Sequence, residues 1–191
     1  MRDKVVRVIG LISGTSADGV DGVIVDIAGS GYALQVQVIG GQTVSYPAEL
    51  RQQILAVCAG KPVSMADLAE LDDAIAQVFA QAAQRLIDEY GSVDLIASHG
   101  QTVFHRPPVR SKEGQPTELG CSFQLGRGDS IATLTQCPTV SNFRQADMAS
   151  GGEGAPLVPP VDLALLSHPQ YWRCVQNIGG ISNVALLPPF V

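Results

Sequence analysis

Basic residues are scarce in this sequence. Twelve Lys and Arg stand against 18 Asp and Glu, for a formal net charge of −6 over 191 residues, and nowhere do the cations gather into a run. A nucleic-acid surface needs clustered Lys and Arg, so nucleic acid is not an expected partner. Cysteine is sparse too. Cys58, Cys121, Cys137 and Cys174 are widely spaced, with no CxxC pair and no His at zinc-ligand spacing. They read as buried free thiols of a reducing cytoplasm. No stretch approaches about 18 uninterrupted apolar residues, so no membrane span is expected. The first apolar segment is broken by Arg7 and Gly10, which does not read as a signal peptide. The Gly-Lys-Ser/Thr ending of a P-loop is also missing.

What is present is organised around Val5 to Ile27, VVRVIGLISGTSADGVDGVIVDI. Valine and isoleucine flank a small polar break from Ser13 to Gly19, which predicts a β-hairpin over Val5 to Ile12 and Val20 to Ile27. Gly14 and Gly19 let backbone N–H groups turn toward an anion, and Thr15 and Ser16 add hydroxyl donors. Asp18 and Asp21 make sense beside a phosphate only if a divalent cation mediates, since Mg2+ prefers oxygen ligands and keeps several waters. An ordinary hairpin turn is the competing reading of the same residues.

Further along, Leu34 to Ile39 alternates like a third strand with one face buried. Pro47 opens a short helix to about Ala59, ended by Gly60-Lys61-Pro62. Ser64 and Asp67 resemble a capping box, and Leu68, Leu71, Ile75, Val78, Ala82 and Leu86 recur at helical spacing up to Gly91. Val93 to Ala97 reads as a buried strand with Ser98-His99-Gly100-Gln101 beyond its carboxyl end, where ligands of open α/β sheets bind. Residues 107 to 119 read as a loop, followed by a strand at Ser122 to Leu125, a helix at Asp129 to Thr135 and a strand at Thr139 to Phe143. Cys174 to Leu187 repeats the strand, Gly-rich break and strand pattern. Periodicity alone gives a mixed α/β sheet.

The groups suited to chemistry cluster in the second half. His99 fits either a substrate hydroxyl or a structural hydrogen bond, and His105 is equally open. Arg144 offers a planar fork suited to a carboxylate, unless it closes a loop by pairing with Asp147. Gly151 to Pro156 allows close backbone approach to a ligand, or else a hinge. From the residues alone, Asp147 is the candidate general base.

Four stretches in order, GLISGTSADGVDGV, SHGQTVFHRP, FRQADMASGGEGAPLVP and NIGGISNV, resemble the signatures of the anhydro-N-acetylmuramic acid kinases, of the sugar kinase, Hsp70 and actin superfamily. The resemblance implies a ribonuclease H-like domain over 1–170 and the start of a second, truncated domain over 171–191. It implies a cytoplasmic enzyme using ATP and Mg2+, with an amino sugar as partner, and leaves a homodimer open. Gly14, Thr15, Ser16, Ala17, Asp18, Gly19, Val20 and Asp21 would form one wall of the ATP site, with Asp18 reaching the metal through water. His99, Gln101, Arg144 and Asp147 would face the sugar. The family's base would lie in a later FDxGPGN strand beyond Val191. Asn142 and Glu153 replace the family's usual Asp and Gln. A nucleotide-binding module without catalysis, and a degenerate remnant, are the other two readings.

Overall fold

The computed structural model describes residues 4–112, 116–178 and 182–189. Its frame is a meander: β1 (Val6–Ser13), β2 (Gly19–Ala28) and β3 (Gln35–Ser45) pair antiparallel in turn. The expected hairpin is therefore present, with Ile12 opposite Asp21 at its neck. Helices α1 (Ala48–Cys58) and α2 (Met65–Tyr90) follow, and then β4 (Leu95–Arg106) runs parallel to β1. Two-residue β5 (Val109–Arg110) pairs with β6 (Pro116–Glu118) inside the stretch read as a loop. Strand β7 (Cys121–Leu125), helix α3 (Gly128–Thr135) and strand β8 (Thr139–Val140) complete the sheet, whose order is β3-β2-β1-β4-β7 with β8 against the first half of β4. Helices α4 (Phe143–Ala149) and α5 (Pro159–Leu166) lead to a separate antiparallel pair, β9 (Arg173–Asn177) and β10 (Asn183–Leu187). The architecture is a mixed α/β sheet with five α-helices among the described residues.

Helix α2 builds the core. Ser64 caps it reciprocally: its Oγ accepts the Asp67 N–H at 3.1 Å, and Asp67 Oδ2 accepts the Ser64 N–H at 3.3 Å. Leu71, Ile75, Val78, Phe79, Ala82 and Leu86 then bury one stripe among Ile9, Leu11, Ile24 and Ile96 of the sheet. Each large side chain so buried stabilises the fold by about 1.5–3 kcal/mol relative to exposure. Gly22 permits the close approach, because a Cβ there would lie 3.0 Å from Leu86 Cδ1. Only this face of the sheet is covered so fully. On the other face Ile12 is 46% and Val38 67% exposed, so β3 does not bury Val36 and Val38 as the alternation suggested, although Val44 of the same strand lies in the core.

Three expectations are corrected, the first being the burial of all four thiols, since Cys58 and Cys174 are exposed. β4 does not end at Ala97 but continues to Arg106, because β7 pairs with its second half and satisfies the backbone there. The strand expected over Thr139 to Phe143 stops at Val140. Asn142 is left-handed at φ 64°, a turn that Asn tolerates better than most residues, and Phe143 opens α4. Arg144 and Asp147 thus stand on a helix. Helix α5 was not anticipated, since its apolar residues show no one-sided stripe and Pro159-Pro160 reads as a break. In the last hairpin the pairing matches the expected pattern, while positions 179–181 of its Gly-rich break lie outside the described residues.

Candidate functional site

The loop between β1 and β2 is short and shaped from within. The Ala17 N–H donates to the Gly14 carbonyl at 3.2 Å, and the Tyr46 N–H donates to the Asp18 carbonyl at 3.1 Å. Ala17 is fully buried at φ 47°, a left-handed conformation that costs an ordinary residue about 1–2 kcal/mol. Gly19 is required sterically: a Cβ there would sit 2.5 Å from the Val44 carbonyl oxygen. Ala17, Gly19 and Val20 are buried and shape the loop, while Gly14, Thr15, Ser16, Asp18 and Asp21 are exposed and able to meet a ligand. The Thr15 and Ser16 N–H groups have no acceptor among the described residues. Ser16 Oγ donates to Asp18 Oδ1 at 3.0 Å, Arg51 Nη2 to the Ser16 carbonyl at 3.1 Å, and Thr43 Oγ1 to Asp21 Oδ1 at 2.6 Å. Among the described residues no group of three or more His, Cys, Asp or Glu could hold a metal ion by itself. Asp18 offers a single carboxylate, a donor set that suits only a cation keeping most of its waters.

A buried polar brace sits beneath the loop. Ser13 Oγ reaches Gln101 Oε1 at 2.6 Å and the Gly19 carbonyl at 2.8 Å, while Gln101 Nε2 donates to the Gly14 and Thr102 carbonyls at 3.2 Å each. Tyr46 lies beside Ser13. Burial pushes its phenol up to about 12, only partly offset by that hydroxyl, and its oxygen makes no hydrogen bond of good geometry among the described residues.

How Gln101 arrives there is a matter of register. Leu11 pairs with Ser98, but Ser13 pairs with Gln101, so β4 carries one extra residue between them. Gly100 takes the strain of this bulge at φ 72°, and a Cβ on it would be 2.6 Å from the Leu125 carbonyl oxygen. Without the bulge, His99 and Gln101 would share a face. With it, Gln101 turns to the α2 side, 1% exposed, and His99 to the other.

His99 meets Arg144 on that other face. Arg144 Nε donates to His99 Nε2 at 2.9 Å, and His99 Nδ1 lies 3.0 Å from the Gly100 carbonyl. The imidazole is therefore neutral with its proton on Nδ1. Burial holds its pKa below the usual 6.5, against the Gly100 carbonyl, and the Arg144 charge lowers it further. Arg144 Nη1 donates to the Gly154 carbonyl at 2.6 Å, and the Gly154 N–H donates to Asp147 Oδ2 at 2.8 Å. Arg144 and Asp147 thus grip opposite ends of one glycine instead of pairing with each other. Gly152 has no room for a Cβ against the Asp147 carboxylate. Among the described residues no carboxylate lies within 4 Å of the Arg144 guanidinium, whose pKa burial lowers, and its Nη2 makes no hydrogen bond.

The structure therefore brings His99, Arg144 and Asp147 together and leaves Gln101 apart. His105 lies further along β4, its Nδ1 3.1 Å from Ser122 Oγ. A groove of about 310 Å³ on the face opposite α2 is lined by residues including Gly10, Ile12, Asp21, Val23, His99 and Phe143, so one depression joins the neck of the loop to His99. A second one, of about 330 Å³, lies by α2 and α3 among Asp73, Gln77, Asp129 and Ser130, away from every motif singled out in the sequence. Sequence reasoning missed Tyr46, and although it had Ser13 in the polar break and Gly154 in the Gly151 to Pro156 run, it missed the brace under the loop and the grip of Arg144 and Asp147 on Gly154. Tyr46 carried no local signal.

The ordered motifs, carried on a mixed α/β sheet and on the loop between its first strands, resemble those of a kinase family. Comparison with known proteins identifies the family: the chain belongs to the anhydro-N-acetylmuramic acid kinase family, whose model matches residues 6–190. It is 60% identical over 182 residues to the anhydro-N-acetylmuramic acid kinase of Trichormus variabilis, covering 95% of this chain and 46% of that one. With the enzymes of that name from Rippkaea orientalis and Synechocystis sp. it shares 58% and 59% over 181 residues, covering 95% of this chain in each case and 47% and 46% of theirs. The chain spans about half the length of the curated relatives it matches. A solved structure of CasPhi-2 bound to crRNA and DNA covers 77% of the chain at 14% identity, and its TM-score of 0.18 is too low to bear on the fold.

Proposed function

We propose that this chain supplies the N-terminal half of an ATP-dependent kinase of 1,6-anhydro-N-acetylmuramic acid. The reaction adds water across the anhydro bond and moves the γ-phosphate of ATP to O6, giving N-acetylmuramic acid 6-phosphate for cell-wall recycling. A strand meander followed by parallel β4 and β8 supports the ribonuclease H-like reading of the domain. Thr15 and Ser16 present N–H and hydroxyl donors to the phosphates, and Asp18 holds Mg2+ through water. The metal neutralises phosphate charge when bound. His99 and Arg144 face the sugar, and Asp147 holds Gly154 in place beside them. The base comes from a segment after Val191, in a second domain that begins near residue 171, and the 191-residue chain by itself does not catalyse the reaction.

The observation that carries this reading is Arg144, a half-buried cation without a counter-ion among the described residues. Such a group is stabilised by an anion, and the lactyl carboxylate of the muramic sugar is one of matching geometry. The experiment follows the Arg144 Nε–Hε resonance while titrating 1,6-anhydro-N-acetylmuramic acid, and then the N-acetylglucosamine counterpart that lacks the lactyl group. A saturable shift with the muramic sugar alone is expected, and an equal response to both refutes the assignment.

A further inference from the structure

We infer that Gln101 is a positioning residue for the loop, setting which way the Gly14–Thr15 peptide faces and so whether the Thr15 N–H is offered to an anion. The inference rests on the reading of the loop as a phosphate site. The argument starts from the peptide unit itself. The only cis peptide bond among the described residues is Ala155–Pro156, so the Gly14–Thr15 peptide is trans, with its C=O and N–H pointing in opposite directions. The Gly14 carbonyl accepts from Gln101 Nε2 and from the Ala17 N–H, both at 3.2 Å. Gln101 is 1% exposed, so that carbonyl is drawn toward the interior and the Thr15 N–H must point outward. Gly14 is the residue that would otherwise let the peptide turn over, because glycine crosses φ/ψ space more freely than any other residue. A flipped peptide would offer a carbonyl oxygen to the phosphate in place of a donor.

Gln101 suits this task through its two ends. Its Nε2 faces two carbonyls, those of Gly14 and Thr102, at 3.2 Å each, which only a donor can satisfy and which therefore fixes which way the amide faces, and its Oε1 is left toward the Ser13 hydroxyl at 2.6 Å. Its backbone is fixed by the Gly100 bulge, so the strand carrying His99 toward one face also carries this clamp toward the other.

The test uses the 191-residue chain and two variants that separate orientation from packing. Gln101→Met keeps the volume and removes the clamp, and Ser13→Ala removes the partner of Oε1 and leaves the Nε2 donor in place. Without ligand, Gln101→Met is expected to change the residual dipolar coupling of the Thr15 N–H and lower the order parameters of residues 14–16. Ser13→Ala should lower the melting temperature without turning that vector. Mg-ATP, followed through the Thr15 and Ser16 amide shifts, should bind about tenfold more weakly to Gln101→Met, equivalent to about 1.4 kcal/mol. An unchanged Thr15 vector or unchanged affinity in Gln101→Met overturns the inference, as do equal effects of the two variants on the vector. Should Gln101→Met not fold, hydrogen exchange of the Gln101 side-chain amide in the parent decides: slow exchange is expected, and exchange at the solvent rate overturns it. A parent chain whose loop amides ignore Mg-ATP refutes the phosphate reading, while the ligand-free comparison still decides what Gln101 does.

Discussion

Replacing Gly100 with alanine tests the bulge on which the layout of the site depends. At φ 72° an L-residue pays roughly 1–2 kcal/mol for the left-handed conformation. The added Cβ also lies 2.6 Å from the Leu125 carbonyl oxygen, which belongs to the backbone pairing of Gln101 with Leu125 and cannot swing away as a side-chain end could. Overpacking of that kind costs about 1–3 kcal/mol. The expected loss is therefore about 3 kcal/mol, or about 6–12 °C in melting temperature for a domain of this size. Gly60→Ala is the control, because Gly60 has φ 82° but nothing within 4 Å of its added Cβ, so it carries the conformational cost alone. Urea denaturation of both variants measures the difference, expected at about 1–3 kcal/mol. Equal losses in the two would mean that Leu125 gives way freely, and the claim that the bulge is sterically locked would fail.

Two further outcomes follow from the same structure. His99 is held below 6.5 by burial and by Arg144, so above that pH it is neutral in both folded and unfolded chains; as pH falls below 6.5 the unfolded chain takes up the proton first. Stability should decline between about pH 7 and pH 5, with His99→Gln flattening that part of the urea-midpoint profile. Ser64→Ala removes the acceptor of the Asp67 N–H at the start of α2, and should cost about 1 kcal/mol in chemical denaturation with little change in m.

Much of the fold was legible because its signals are local. The hairpin came from two β-branched runs around a Gly-rich break, and α2 from a stripe of Leu, Ile and Val with a capping box at its head. What was not legible depends on partners distant in sequence. Nothing near Ala97 indicates that β7, more than twenty residues on, will pair with the continuation of its strand and carry it to Arg106. Val36 and Val38 alternate as a half-buried strand should, yet whether that face is covered is decided by where α2 lies, and it lies on the other side. The end of β8 turns on the backbone of Asn142, a residue equally at home in many loops.

The site shows the same limit more sharply. Ser98-His99-Gly100-Gln101 reads as one polar patch at a strand end, and by simple alternation His99 and Gln101 belong on one face. Whether Gly100 is a bulge depends on how β4 registers with β1, a property of two strands more than eighty residues apart, so the sequence of either strand alone does not contain it. Arg144 and Asp147 pose the opposite problem. Their spacing on a helix permits an ion pair, worth a few tenths of a kcal/mol when exposed. The folded chain brings a better competitor, because the buried Gly154 offers one acceptor and one donor that must both be satisfied. Arg144 takes the carbonyl and Asp147 the N–H, an arrangement that satisfies the glycine at both ends and leaves the cation without its expected neutraliser. Holding a half-buried charge in that state costs stability, and the fold by itself gains nothing from the guanidinium nitrogen left over. An anionic ligand arriving at His99 would recover that cost, which is why the displaced salt bridge argues for a binding site more strongly than the motif does.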